Sequence, residues 1–135
     1  MTSTLKVNTL TGVSTAGSIA VTGEGNSTTT NLQQGLCKHW IRHDDGATVN
    51  DSFNNASLTD GGTGDYTATI TNDFSNALYA SAVTTGGTSG GAGDDCYGGN
   101  GTSAAGSIKM YARTGDDSAR KDSELSCIMC FGDLA

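Results

Sequence analysis

Apolar and polar side chains alternate at every second position in several short segments of this chain. In residues 66–71, Tyr66, Ala68 and Ile70 alternate with threonines, and residues 108–114 follow the same rule. A period of two is typical of a strand with one buried face. No segment keeps a helical period for more than about two turns. The pattern therefore predicts an all-β fold of roughly six to eight short antiparallel strands.

The predicted strands lie between clusters of turn-forming residues. Asp44-Asp45-Gly46 and residues 60–65 are two such clusters, because Asp and Gly tolerate the backbone angles of tight turns. The strands predicted around them cover residues 36–43, 49–53, 56–58, 66–71, 76–85, 108–114 and 125–131. Their number and spacing favour an antiparallel β-sandwich of jelly-roll type.

Two segments lack the alternating pattern. Residues 1–34 are rich in Gly, Ser and Thr, with short apolar runs at residues 5–10 and 18–22. They predict an extended arm for anchoring or oligomerisation, followed by a β-domain of residues 35–135. Residues 86–106 have low complexity and predict one long loop, which is uncommon in a compact domain and often functional.

Composition indicates either that part of the chain is disordered or that part of its burial comes from other subunits, and we expect the second. It has 135 residues, of which 20 are Gly, none is Pro and 35% are hydrophobic. Typical domains have about 45–50% apolar residues with glycine included, or roughly 40% once their glycine, about 7%, is left out. Residues 125–131 are apolar on both faces, which predicts a strand in the middle of a sheet or at a subunit interface. We expect a homotrimer, since closed symmetry leaves no such patch free to polymerise.

Charge and hydropathy exclude several classes of partner. The net charge is −7, and the seven Lys and Arg residues form no run, so nucleic-acid binding is not expected. No apolar stretch approaches the roughly 18–20 residues that span a bilayer. The first residues lack the apolar core of a signal peptide. We expect synthesis in a cytoplasm and no membrane insertion.

The four cysteines are Cys37, Cys96, Cys127 and Cys130. The last two form a C-x-x-C motif inside a predicted strand. Residues three apart on a strand point to opposite faces, which is poor geometry for chelation or for a redox pair. Free thiols are therefore favoured over a disulfide or a zinc site.

Few residue patterns in the sequence support a catalytic site or a cofactor-binding site. Asp94 and Asp95 could hold Ca²⁺, but no loop has EF-hand spacing and adjacent Asp residues are common in turns. His39 and His43 could join an Asp and a Ser in a hydrolytic triad, yet serine is abundant and no Gly-x-Ser-x-Gly motif is present. No phosphate-binding loop ends in Gly-Lys-Ser/Thr. We expect no enzymatic activity, no metal and no cofactor.

A series of short motifs resembles the tail-fibre and virion proteins of marine, cyanophage-like tailed phages. The motifs are Lys38-His39-Trp40, Asp51-Ser52-Phe53-Asn54, Gly62-Thr63-Gly64-Asp65-Tyr66-Thr67 and Phe131-Gly132-Asp133. Residues 3–10 are similar to an N-terminal signature of such proteins. The order of the motifs is more specific than any one of them, and the resemblance covers most of residues 38–133 and the first ten residues.

The resemblance implies a virion structural protein, a short tail fibre or knob for host attachment, assembled in the host cytoplasm. Little more than thirty residues precede the module, so a long shaft is not expected. The alternative is a capsid decoration or tail adaptor protein with a purely structural role, and a tail-associated depolymerase is a weaker enzymatic alternative.

A protein that attaches a virion to its host needs contact residues for the host and contact residues for the virion. The candidates for contact with a host glycan or protein are Asp94, Asp95, Tyr97 and Asn100 in the predicted loop. The candidates for anchoring the arm to other virion proteins are Leu5, Val7 and Leu10. Trp40 is expected to be a core or interface anchor rather than a sugar platform.

Overall fold

A computed structural model describes residues 4–12, 19–23, 28–87, 96–116 and 118–135. Its elements, in chain order, are β1 (Ala20–Thr22), β2 (Thr29–Asn31), α1 (Leu32–Gly35), β3 (Cys37–His43), β4 (Val49–Phe53), β5 (Asn55–Asp60), β6 (Asp65–Ile70), β7 (Ala80–Gly86), β8 (Cys96–Ala104), β9 (Ser107–Thr114) and β10 (Leu125–Phe131). The predicted all-β class is confirmed. Helical structure in the described residues is limited to α1, which has four residues.

Strands β3 to β10 form two four-stranded antiparallel sheets. The first has the order β4-β3-β10-β7 and is called the tryptophan sheet, because it contains Trp40. The second has the order β5-β6-β9-β8 and is called the tyrosine sheet, because it contains three of the four tyrosines. Strand β10 pairs with β3 on one side and β7 on the other. The predicted place of residues 125–131 inside a sheet is therefore confirmed.

One hydrophobic cluster contains side chains from both sheets. Its buried members are Ile41, Tyr66, Ala68, Ile70, Phe74, Ile108, Met110, Ile128 and Cys130. In β6 the buried positions are Tyr66, Ala68 and Ile70, as the period of two predicts. His39 and His43 lie on the same inward face of β3 as Ile41 and are also buried. The alternation in the sequence thus identifies the core face of the central strands.

The prediction of a single loop over residues 86–106 is wrong. Strand β7 extends to Gly86, and β8 begins at Cys96 and pairs antiparallel with β9. A connection of residues 87–95 remains, and most of it lies outside the described residues. The glycine-rich composition hid β8, because glycine usually weakens a strand.

Two glycines in β8 are required by close packing. A Cβ at Gly98 would lie 2.5 Å from Cγ1 of Val83 in the tryptophan sheet, and one at Gly101 would lie 2.7 Å from Cε2 of Tyr111. Glycine inside a strand often marks such a close approach. Residues that look like loop composition therefore bring β8 close to β7 and to the ring of Tyr111.

Asn54 turns the chain from the tryptophan sheet into the tyrosine sheet. It lies between β4 and β5 with a φ of 57°, a conformation that Asn adopts more readily than most residues. Its Nδ2 donates to the carbonyl oxygens of Lys38 at 2.9 Å and Asn72 at 3.0 Å, and its Oδ1 accepts the backbone N–H of Asn72 at 2.8 Å. The Asp51–Asn54 motif thus contains the residue that fixes this crossing.

Gly64 and Tyr66 fix the start of β6. Gly64 has a φ of 61°, and a Cβ there would clash with the carbonyl oxygen of Ala112 and lie 2.8 Å from that of Lys121. The Tyr66 hydroxyl lies 2.9 Å from the carbonyl oxygen of Asp45 and 3.0 Å from Oδ1 of Asp122. Burial first, and then the bond to Asp122, raise the pKa of Tyr66. The Gly-Asp-Tyr motif therefore has a structural role.

The two ends of the paired sheets carry different parts of the chain. Strand pairing places Ser126 beside His43 and Leu125 beside Gly86, so the turns that follow β3 and β7 lie at one end. Pairing of Phe131 with Cys37 places α1 and the C-terminal residues at the other. We call these the turn end and the arm end. The arm enters the sheets opposite the connection between β7 and β8.

Candidate functional site

The four predicted ligand-contact residues do not form one described site. Asp94 and Asp95 lie outside the described residues. Tyr97 is 40% exposed on β8 and points away from the core, because the next residue, Gly98, faces the other sheet. Nδ2 of Asn100 donates to a carbonyl oxygen of β7 at 3.2 Å. Tyr97 and Asn100 therefore point to opposite sides of their strand.

Tyr97 belongs to an aromatic and basic surface on the outer face of the tyrosine sheet. It pairs across the strands with Arg113. Two positions earlier on β9, Tyr111 has the Arg120 guanidinium 3.5 Å from its ring centroid, and Lys109 Nζ lies 5.4 Å from the same centroid. Three of the chain's seven basic residues thus lie on this face of an acidic protein.

The cations of this surface are held by contacts within the chain. Nζ of Lys109 lies 2.9 Å from Oδ2 of Asp65, and the hydrogen bond to Asp65 is the main cause that raises the pKa of Lys109. Nη1 of Arg120 donates to the carbonyl oxygen of Gly64 at 3.1 Å. The contact with the ring and the hydrogen bond to Gly64 together hold the guanidinium over Tyr111. The face is a rigid polar surface that can offer aromatic and cationic contacts.

An apolar row crosses the outer face of the tryptophan sheet. Phe53, Trp40, Met129 and Ala82 are direct cross-strand neighbours on β4, β3, β10 and β7. Phe53 is 54% exposed and Met129 is 40% exposed. Aromatic residues and Met are enriched in the cores of protein interfaces. This row has the composition of a surface that another protein covers.

A cavity of about 330 Å³ lies at the arm end. Its lining consists of Gln34, Phe74, Ser75, Asn76, Leu78, Tyr79, Ala80, Phe131, Gly132 and Asp133. The rings of Phe74 and Tyr79 stack with their centroids 4.2 Å apart. Nε2 of Gln34 donates to Oδ2 of Asp133 at 3.3 Å, which joins α1 to the C-terminal residues. The cavity thus combines an aromatic wall with a charged rim.

The predicted anchoring residues of the arm are exposed in the structure. Leu5 is 80% exposed, Val7 is 56% exposed and Leu10 is 55% exposed. They lie outside the strands. Three large apolar side chains within six positions are thus exposed to solvent in the single chain.

The histidines considered for catalysis are buried in the core. Nδ1 of His43 lies 2.8 Å from the backbone carbonyl oxygen of Asp44, and its Nε2 lies 3.3 Å from Sδ of Met110. A catalytic triad would need the carboxylate of an Asp, rather than this backbone carbonyl, beside Nδ1 of the histidine. His39 Nε2 lies 3.2 Å from Oδ1 of Asn55. Both imidazoles therefore have packing partners, and burial is the main cause that lowers their pKa.

The cysteines are free thiols in the structure. Cys130 is buried in the core, whereas Cys127 is half-buried on the outer face of the same strand. Their predicted placement on opposite faces is confirmed. Burial, with a smaller effect of Cys37, raises the pKa of Cys130 to about 12. A thiol with such a pKa stays protonated at neutral pH and is a poor nucleophile.

In the part of the chain that the structure describes, no three His, Cys, Asp or Glu side chains gather in a way that could hold a metal ion. The described helix is too short to cross a bilayer.

The sequence alone predicts part of the outer faces of the two sheets. The period of two in β9 places Lys109, Tyr111 and Arg113 on one side. Nothing local indicates that Arg120, beyond the end of that strand, returns to stack on Tyr111. The sequence also does not predict the apolar row on the tryptophan sheet. That row depends on the register of four strands that are distant in sequence.

Comparison with known proteins identifies no relative. No family model, no curated protein and no solved structure matches this chain.

Proposed function

We propose that this chain is a virion protein of a tailed phage, a non-enzymatic module of a short tail fibre or knob that attaches the particle to its host. The observation that carries the proposal is the placement of the arm and the turns at opposite ends of the sheets. A module held by its arm would direct its turn end and the connection between β7 and β8 away from the particle. The order of the tail-fibre-like motifs supports the same assignment.

We propose a β-sandwich of jelly-roll type as the finer architecture. Support comes from the single core cluster, to which both sheets contribute side chains. Such a module carries its function on surfaces and turns rather than in a catalytic cleft.

We propose a homotrimer in which copies pack through the outer face of the tryptophan sheet. One half of this face is bulky, with Trp40 and Phe53 on β3 and β4. The other half is smaller at the edge, where β7 presents Ala80 and Ala82. Bulky residues of one copy can fill the space over the small residues of the next, and a repeated head-to-tail contact of this kind closes into a ring.

The proposed host-contact surface comprises Tyr97 and the connection that contains Asp94 and Asp95, with Asn100 at the β7 edge. An exposed aromatic ring beside a basic residue suits stacking and hydrogen bonding to a glycan or to a protein surface. Leu5, Val7 and Leu10 are the proposed anchoring residues of the arm. Residues 1–34 would form the attachment arm and residues 35–135 the module.

The structural alternative is a capsid decoration or tail adaptor protein. It is favoured by the internal pairing of Lys109 with Asp65 and of Arg120 with Gly64. Groups already bonded within the chain have fewer contacts left for a host ligand.

Adsorption measurements separate the two functions. Phage particles would carry the chain with Tyr97, Asp94 and Asp95 replaced together by alanine, and the control particles would carry Thr69→Ala on the outer face of β6. An attachment protein loses host adsorption while particle yield and morphology stay intact. Unchanged adsorption by intact particles supports the structural alternative.

Incorporation measurements test the arm. Replacement of Leu5, Val7 and Leu10 by serine is expected to leave the module folded but to reduce its copy number in purified particles. A normal copy number would contradict the anchoring role.

A further inference from the structure

We infer that the cavity at the arm end is a docking site for the N-terminal arm of a neighbouring copy of this chain. The inference deepens the proposed anchoring role of the arm, on which it rests, by naming the partner. Two unpartnered surfaces on one chain motivate it. One is the exposed apolar set Leu5, Val7 and Leu10, and the other is the cavity lined by Phe74, Leu78, Tyr79 and their neighbours.

The apolar part of the cavity lining matches the apolar side chains of the arm. The stacked rings of Phe74 and Tyr79 form one wall of the cavity, and Leu78 on its lining is 91% exposed. Its volume of about 330 Å³ falls within the roughly 300–1,000 Å³ of small-ligand sites, so leucine and valine side chains can enter. Full burial of one such side chain can strengthen association by roughly tenfold to a hundredfold.

Charge is complementary as well. Asp133 is the one charged residue among the described lining residues of the cavity. Lys6 is the one charged residue of positions 4–12, and it lies between Leu5 and Val7. In an extended segment Lys6 projects opposite these two side chains. With Leu5 or Val7 in the cavity, the flexible lysine side chain can reach the Asp133 carboxylate at the rim.

Chain geometry allows the arm to reach a second copy. The backbone N–H of Leu32 donates to the carbonyl oxygen of Ile19 at 2.8 Å, so the β1–β2 hairpin returns the chain to α1 beside the cavity. Leu10 is nine residues before Ile19, a span of up to about 30 Å when extended. A module of about 100 residues has a radius of gyration of roughly 13 Å. The arm is thus long enough to cross to an adjacent module.

A neighbouring copy is favoured over the chain's own arm as the occupant. The large exposure of Leu5, Val7 and Leu10 belongs to the single chain, whose own cavity lies beside its own hairpin. Exchange of arms between copies buries Leu5 and Val7, which project to one side of an extended arm, and repeats the same contact in each copy.

The test measures self-association of the full-length protein by sedimentation velocity over a micromolar concentration range. Serine at Leu5, Val7 and Leu10 together should lower the association constant more than tenfold. Lys6→Glu alone and Asp133→Lys alone should each lower it about fivefold. The same two changes combined in one chain should restore most of the loss. Asp73→Lys, a charge reversal at the same end but outside the cavity lining, should have no effect.

Several outcomes would overturn the inference. A wild-type protein that is monomeric at 100 µM has no arm exchange. An association constant that the serine variant leaves unchanged excludes the arm from the contact. If that variant weakens association but the charge swap restores nothing, the arm docks elsewhere. If the serine variant loses incorporation into particles without any change in self-association, the arm binds another virion protein, and the proposed function stands without the inference.

Discussion

The two sheets share a core but present different outer faces. The tryptophan sheet carries the row Phe53, Trp40, Met129 and Ala82, and two of these side chains are at least 40% exposed. The tyrosine sheet carries threonines and a stack of Arg120 on Tyr111, whose polar groups bond within the chain. Both faces follow the same period of two, so the difference lies in which residues fill the outward positions. The apolar face is therefore the one on which we propose contact between copies, whereas the polar groups of the other face already bond within the chain.

The tyrosine face depends on one backbone position, and its replacement should give the largest effect. Gly64→Ala places a Cβ against the carbonyl oxygens of Ala112 and Lys121, so the segment that carries Arg120 must move. We expect the free energy of unfolding to fall by about 3 kcal/mol, measured by urea denaturation. Gly62→Ala is the matched control, because Gly62 also has a positive φ but no atom near its Cβ position. Equal losses of the free energy of unfolding for both variants would show that the positive φ, and not the close carbonyl oxygens, requires glycine at position 64.

The tryptophan face should matter for association rather than for folding. Trp40→Ala removes the largest side chain of the apolar row, and truncation of an interface tryptophan typically costs about 2 kcal/mol or more of binding free energy. Light scattering should show a lower mass at micromolar concentration, while the circular dichroism spectrum keeps its β character. Thr69→Ala on the opposite outer face should leave the mass unchanged. An unaltered mass for Trp40→Ala would mean that the outer face of the tryptophan sheet does not mediate association.

The stack on the tyrosine face should contribute a smaller amount to stability. Arg120→Ala removes a cation–π contact and the hydrogen bond to Gly64, together worth about 1.5 kcal/mol. Arg120→Lys keeps the charge but not the flat guanidinium, and we expect it to recover only part of the loss. Full recovery by lysine, seen in the same urea experiment, would mean that charge alone matters at this position.

The sequence predicted the interior of this protein better than its surfaces. Alternation identified the buried positions of β6, since burial of every second side chain is a local property of the strand. It missed β8, because Gly98 and Gly101 are required by contacts with distant residues, which no local pattern records. The ligand-contact residues Tyr97 and Asn100 were grouped as loop neighbours, yet a strand places them on opposite sides. The motifs that carried the resemblance, around Asn54 and Gly64, have roles in turns and strand crossings, so they indicate the fold more directly than the function.

The smallest expected effect is the change in the free energy of unfolding with pH near neutrality, which comes from the two buried histidines of β3. His39 and His43 face Asn55, Tyr66 and Met110, and burial lowers the pKa of both below 6.5. In the unfolded chain the histidines bind protons near pH 6.5, while in the folded chain they remain neutral, so the unfolded state gains protons first as the pH falls. Stability should therefore be constant above about pH 7.5 and decrease as the pH falls through 6.5.

The loss at pH 6.0 should reach at most about 0.8 kcal/mol for each histidine. Urea denaturation between pH 7.5 and 6.0 measures it in a range where carboxylates, such as Asp116 with a pKa of about 2, stay ionised. The imidazole resonances of the folded protein provide the control, because at each pH they should show less protonation than a histidine in the unfolded chain. Stability that rises on acidification in this range would contradict this account, because it would mean that at least one buried histidine binds a proton more readily in the folded protein than in the unfolded chain.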